Sequence, residues 1–396
     1  MESTEVSKTG LTDKELKEET IAVLNPYTRS DLKGVRVPQS LLAEARLESI
    51  DFIRGIALVL MMLSHGVKGL LLWEDFPVWG LVVHTITKFS STLFIITFGV
   101  SLAVAYLPHV GTPLWPQKRL RLLWRSLEVM FWYKVLTIAQ MIQGYTNQEI
   151  LDAILFKTFP DYVEVLGFYA FALLWLSMIL PWWKRSPFLI KVLLVFAMIS
   201  AQFHFTYNFT WQNMSLKAIL VENRGYFTFG QLTRGPFILF GLILGEQLYQ
   251  ARRDKWLTFI ISLILISLGT ILLGVHYGMN KEIYFDSLIG LAKNVGKHPP
   301  SQNFILFSLG GAFAIAGLGL AGGRALSRVL YPITLIGKYS LEVFVFHIMV
   351  IFIIYRYLLD YYHNVDYMMA LNLTAVLILG SAVWAGLIKW RRSQKF

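Results

Sequence analysis

The chain has 396 residues, 55% of them hydrophobic and only 15% charged, with a positive mean hydropathy. Soluble globular domains carry about a quarter charged residues, so a soluble domain is excluded. The absence of cysteine excludes disulfides, thiolate zinc sites, Cys-ligated iron–sulfur clusters and a Cys acyl carrier. A net charge of +11 points to nucleic acid in a soluble protein, but here the basic residues sit in short loops between apolar runs. They therefore read as membrane topology, and no nucleic-acid partner is expected. Aromatic residues reach 15%, and Trp and Tyr gather near the ends of the apolar runs, as in an interfacial belt facing membrane lipids.

Residues 1–47 are polar and mixed in charge, without the apolar stretch and small-residue cleavage site of a signal peptide. They read as a cytoplasmic tail, with a short surface helix through Glu15 to Val23, ahead of a membrane domain over 48–396. A bilayer core requires about 20 helical residues. Ten segments meet or approach this, at 50–72, 86–107, 120–142, 163–182, 187–204, 233–250, 255–276, 303–321, 335–357 and 368–389. No alternating barrel pattern is present, so the expected fold is all-α, a polytopic helical bundle. The Lys and Arg bias places both termini in the cytoplasm. Lys118, Arg119, Arg121 and Arg125, then Lys184 and Arg185, Arg252, Arg253 and Lys255, Arg324 and Arg328, and Lys389 to Lys395 fall on one side. Acids such as Glu74, Asp75, Asp161, Glu164, Asp360 and Asp366 fall on the other. The two longest outer loops, 205–232 and 277–302, are expected to cover an outward-facing site.

Ionisable residues within such helices are costly and mark function. In the first helix Asp51 and Arg54 are three apart and can pair. Arg54 and His65 are eleven apart, so they share a face about 16 Å long. The stripe fits the wall of a polar passage; it also fits an interfacial Asp–Arg anchor with a satisfied core histidine. In the third helix Glu128 and Lys134 are badly spaced for each other and are expected to find partners on other helices. Arg234 opens the sixth helix, placed for a charged substrate or for lipid headgroups. In the ninth, Ser340 and His347 share a face, and Lys338 can pair with Glu342. No His-Glu-x-x-His or close His pair occurs, so no metal is expected. Ser64 lacks a Gly-x-Ser-x-Gly elbow and is discounted as a nucleophile.

Ile50-Asp51-Phe52 with Arg54-Gly55 and His65 resembles the first-helix signature of the transmembrane acyltransferase superfamily. That group includes acyltransferase-3 enzymes, OpgC-type glucan succinyltransferases and relatives of heparan-α-glucosaminide N-acetyltransferase. Phe94 to Ser101, Lys118 to Arg121, Lys297 to Ser301 and Gly337 to Leu341 followed by His347 resemble further elements in the same order. The stretch Asp75 to Gly80 departs from the glucosaminide branch, having no His ahead of its Trp-Gly. The segment from Asp161 to Pro181 looks more like the OpgC type.

The resemblance implies transfer of an acetyl or succinyl group from a cytoplasmic acyl-CoA to a hydroxyl or amine of an extracytoplasmic glycan or glycolipid. The setting it implies is a bacterial cytoplasmic membrane, and the process modification of cell-envelope polysaccharide. His65 would be the general base, since imidazole titrates near neutrality. Arg54, oriented by Asp51, would bind the donor, with Arg125, Arg121, Arg119 and Lys118 as further phosphate ligands. His347 would be a second catalytic group, and Arg234, Glu342 and Ser340 would contact substrate. Ten helices with intramembrane charges also fit a secondary transporter or lipid flippase, although the paired halves of transporters are absent. A non-catalytic sensor has only the N-terminal tail in its favour. Oligomeric state is left open, a homodimer included.

Overall fold

Apolar runs of this length form helices because backbone polar groups in lipid must bond within their own segment. The computed structural model describes residues 47–72 and 74–394, so the expected helix at Glu15 to Val23 lies outside the described residues. The first helix, α1, is Glu48–Leu70. Next, α2 (Val78–His84) runs through a 3₁₀ turn at Thr85–Lys88 into α3 (Phe89–Tyr106). There follow α4 (Trp115–Met141), α5 (Asn147–Ile154), α6 (Glu164–Arg185), α7 (Phe188–Tyr207) and α8 (Met214–Val221). The second half holds α9 (Gln231–Ala251), α10 (Lys255–Met279), α11 (Tyr284–Ala292), α12 (Gln302–Val329), α13 (Tyr331–Lys338), α14 (Ser340–Met349) and α15 (Tyr367–Ser393). Asp254, Ser301 and Asp366 cap α10, α12 and α15 by accepting backbone N–H bonds.

Among the described residues eight helical spans are long and apolar enough to cross a membrane, against ten expected. The two that fall short, α4 and α9, lie where spans were expected but carry charges: Arg121, Arg125, Glu128 and Lys134 in one, Arg234 and Glu246 in the other. Both are long helices packed into the bundle, α4 on α6 and α9 on α3. By contrast α7 and α10 are peripheral, presenting Phe188, Leu193 and Phe196, and Ile264 and Ile271, at the surface.

Close helix contacts are made by glycine, as expected where dispersion rather than hydrophobicity drives association. A Cβ on Gly99 would lie 3.0 Å from the Gly241 Cα across the α3–α9 contact, and one on Gly245 would lie 2.7 Å from the Val100 carbonyl oxygen. Gly99→Val is expected to cost about 1–3 kcal/mol or more by overpacking. Thermal unfolding in detergent checks this, with Gly274→Ala as control because a Cβ there meets nothing within 4 Å.

The ninth expected span, 335–357, is not one helix. The chain breaks at Tyr339 (φ −111°, ψ 42°), and after α14 a π-helical segment runs over Val350–Leu358. The break has a steric setting. Here α13 lies so close to α1 that the Gly337 Cβ position falls on the Asp51 carbonyl and that of Gly55 on the Ile333 carbonyl. It also leaves the Gly337 carbonyl at a helix end, where Arg54 Nη1 donates to it at 3.4 Å.

Candidate active site

The Arg54–His65 stripe of α1 faces two cavities. Arg54 lines the larger, an open cavity of about 850 Å³ including the solvent at its mouth, with Phe94, Phe98, Ser101, Arg125, Tyr169, Ser340 and Phe344 around it. Arg54 also donates to Ser101 Oγ and stands 3.8 Å from the Asp51 carboxylate. The rest of the cavity is mostly apolar; Tyr169 stacks on Phe98 at 4.3 Å, and its buried hydroxyl has no hydrogen-bond partner among the described residues. Such a chamber, with guanidinium groups of two helices at its edge, suits an anion tethered to an apolar arm.

His65 lines the second cavity, of about 510 Å³, with Lys68, Lys88, Asp161, Tyr162, Glu164, Asn294 and Lys297 among its walls. Lys68 pairs with Asp161 at 2.5 Å and Lys297 with Glu164 at 2.7 Å. Burial alone would raise the Asp161 pKa, but Lys68 and Lys297 override it and hold the carboxyl below the usual carboxylate range. The two expected covering loops do reach over this cavity: Phe229 comes from the segment before α9, and Asn294 and Lys297 from the segment after α11.

The cavities are back to back. Val165 lines one and its chain neighbour Leu166 the other. Phe344, in the wall of the Arg54 cavity, meets the ring of His347 edge-on at 4.9 Å. Thus the single passage expected along α1 is interrupted, with the rings of His65, His347 and Phe344 standing in succession between the two cavities. In this dividing wall the two histidines pair, His65 Nδ1 to His347 Nε2 at 3.3 Å.

The pair has a polarity set by its far end. His347 is buried, and its Nδ1 lies 3.2 Å from the Val343 carbonyl oxygen, which can only accept. His347 Nδ1 therefore carries the proton and its Nε2 accepts from His65 Nδ1–H. That tautomer leaves His65 Nε2 as a bare lone pair on a ring lining the cavity. Tyr162 braces the ring edge-on at 5.2 Å and donates to the Lys68 carbonyl.

A family described as an acyltransferase domain matches residues 47–391. The chain belongs to the acyltransferase-3 family. No curated protein matches it.

Within this membrane acyltransferase the residues singled out from sequence are distributed unevenly. Arg54, Asp51, Arg125 and Ser340 gather at the larger cavity, with Asp51 behind Arg54, and His65 and His347 meet at the wall. Arg119 and Arg121 are exposed and Lys118 half-buried on the first turns of α4, outside both cavities. Glu342 faces away: it binds Arg392 at 2.6 Å rather than Lys338, because α15 brings a guanidinium to it. Arg234 is buried rather than exposed at the membrane surface. It is neutralised by Glu222 at 2.9 Å and donates to the Lys297 carbonyl at 2.7 Å. Glu128 finds its partner on its own helix, Arg125 at 2.7 Å, while Lys134 donates to the Ala153 carbonyl.

Sequence reasoning missed Lys68, Lys88 and Tyr162, took Lys297 only as part of a family-like stretch, and gave Asp161 and Glu164 no role in the site. One signal was available: Lys68 follows His65 by three residues and so lies on the same helical face.

Proposed function

We propose that this acyltransferase takes an acyl group from a coenzyme A thioester at the Arg54 cavity. It passes the group to a hydroxyl or amine of a glycan or glycolipid in the His65 cavity. The observation carrying this reading is the His65–His347 pair standing in the wall between the two cavities. Arg54 would hold the donor's phosphate end, with Arg125 at the rim. An extended pantetheine arm is long enough for the roughly 16 Å of α1 up to His65, and reaching the base requires the Phe344 side chain to turn aside. Asp51 would orient Arg54.

In the chemical step His65 Nε2 removes the acceptor proton as the acceptor oxygen or nitrogen bonds to the thioester carbonyl carbon. The carbon–sulfur bond then breaks, and the thiolate recovers the proton from His65. His347 keeps the base in its productive tautomer and stabilises the imidazolium through the same hydrogen bond. We place the Arg54 end and both termini in the cytoplasm, following the Lys and Arg bias, and the His65 cavity on the outer side. That arrangement suits polysaccharide modification at a bacterial cytoplasmic membrane.

Donor binding is tested with Arg54→Ala in the purified, reconstituted protein, using radiolabelled acetyl-CoA and succinyl-CoA. The expected result is a rise of about 10- to 100-fold in donor KM, from the loss of charge-assisted bonds. An unchanged KM for both donors at normal folded yield overturns the assignment of donor to this cavity.

A further inference from the structure

Three lysines but two carboxylates line the His65 cavity. Lys68 is matched by Asp161 and Lys297 by Glu164. The third, Lys88, sits at the junction of the 3₁₀ turn with α3 and is only 7% exposed. Its ammonium donates at 2.6 Å to a neutral acceptor, the Asn294 Oδ1. Among the described residues no carboxylate lies within 4.0 Å of it. A buried ammonium has three N–H donors, and Asn294 uses one. Burying such a charge without a counter-ion is costly. The cavity it shares is also lined by Thr87, Ser90 and Ser91. Asn294 fixes the ammonium in place without neutralising it.

We propose that Lys88 binds an anionic group, a phosphate or a carboxylate, carried by the acceptor. This rests on the acyl-transfer reading and names its acceptor class: the molecule whose hydroxyl or amine meets His65 bears a negative charge close by. The acceptor rather than the acyl group is the source, because Lys88 and Asn294 belong to the walls of the His65 cavity and neither touches the Arg54 cavity.

The test is a titration of the full chain in neutral detergent without any acyl donor. Glucose 6-phosphate, glucuronate and inorganic phosphate are the anionic probes, glucose is the neutral comparator, and calorimetry is the readout. At least one anion is expected to bind more tightly than glucose. Lys88→Gln is expected to weaken that binding by about 10- to 100-fold and leave glucose unaffected, while Lys88→Arg retains most of it. If Lys88→Gln does not fold, Asn294→Ala, which keeps the charge and removes its anchor, is expected to weaken the anion by several-fold. Equal affinity for neutral and anionic probes, no binding of any anion, or anion binding indifferent to these variants overturns the proposal. With no donor present, a failure of the acyl-transfer reading leaves this result standing and is told apart from it. A second arm compares acetyl-CoA with succinyl-CoA on glucose as acceptor. A Lys88→Gln defect confined to succinyl-CoA places the anion on the acyl group and overturns the proposal.

Discussion

Alanine at position 65 is expected to lower the kcat for acyl transfer by about 10²- to 10⁴-fold, the range associated with loss of a positioned general base. The argument rests on the hydrogen-bond chain that starts at the Val343 carbonyl and ends at the free Nε2 of His65. Removing the imidazole takes away the only group in that chain with a lone pair directed to the cavity. Donor and acceptor KM should move little, since neither Arg54 nor the lysines are disturbed. His347→Gln is expected to have a smaller effect, because it disturbs the tautomer without deleting the base. The measurement is single-turnover transfer of a radiolabelled acyl group by folded, monodisperse protein. Transfer at the wild-type rate by His65→Ala would remove this residue from the chemistry.

Arg234→Ala is expected to destabilise the protein by about 3–5 kcal/mol, the cost of leaving a buried charge without its partner. Glu222 is fully buried and accepts from Arg234 Nε at 2.9 Å and from His298 Nδ1 at 3.0 Å. Burial alone would raise its pKa, but Arg234 and then His298 override this and hold it below the ordinary value. The stabilisation from this ionisation is therefore complete above the unfolded carboxyl pKa of about 4.3 and is lost as pH falls through the lower folded value. Arg234→Ala should unfold at lower temperature near neutrality, and removing the orphaned acid as well, with Glu222→Gln, should restore part of the loss. An unchanged unfolding temperature in the single variant would contradict the role given to the pair. A second readout follows from the bond between Arg234 and the Lys297 carbonyl. Its loss frees a wall of the His65 cavity, so acceptor KM should rise more than donor KM.

The helical architecture was legible because hydropathy over about 20 residues is a local property. The Arg54–His65 stripe was legible for a similar reason: helical periodicity alone puts residues eleven apart on one face. What was not legible depends on pairing across the chain. His65 meets a histidine 282 positions away, and Lys68 meets an aspartate 93 positions away. No periodicity announces either contact. The break at Tyr339 was hidden because its cause, Gly337 pressed on Asp51, is also a tertiary contact. Arg234 and Glu342 were misplaced for the opposite reason. Each has an ordinary ion-pair partner, one in the turn after α8 and one near the end of α15, that spacing within its own helix does not reveal.

The terminal carbonyl of the histidine chain carries a consequence for the path of the proton. A peptide oxygen accepts a hydrogen bond but does not take up and pass on a proton at physiological pH. The two imidazoles therefore form a blind-ended relay, open at His65 and stopped at Val343. A proton lifted by His65 during turnover therefore has no exit by way of His347 and leaves from His65 itself, as the proposed return to the thiolate requires.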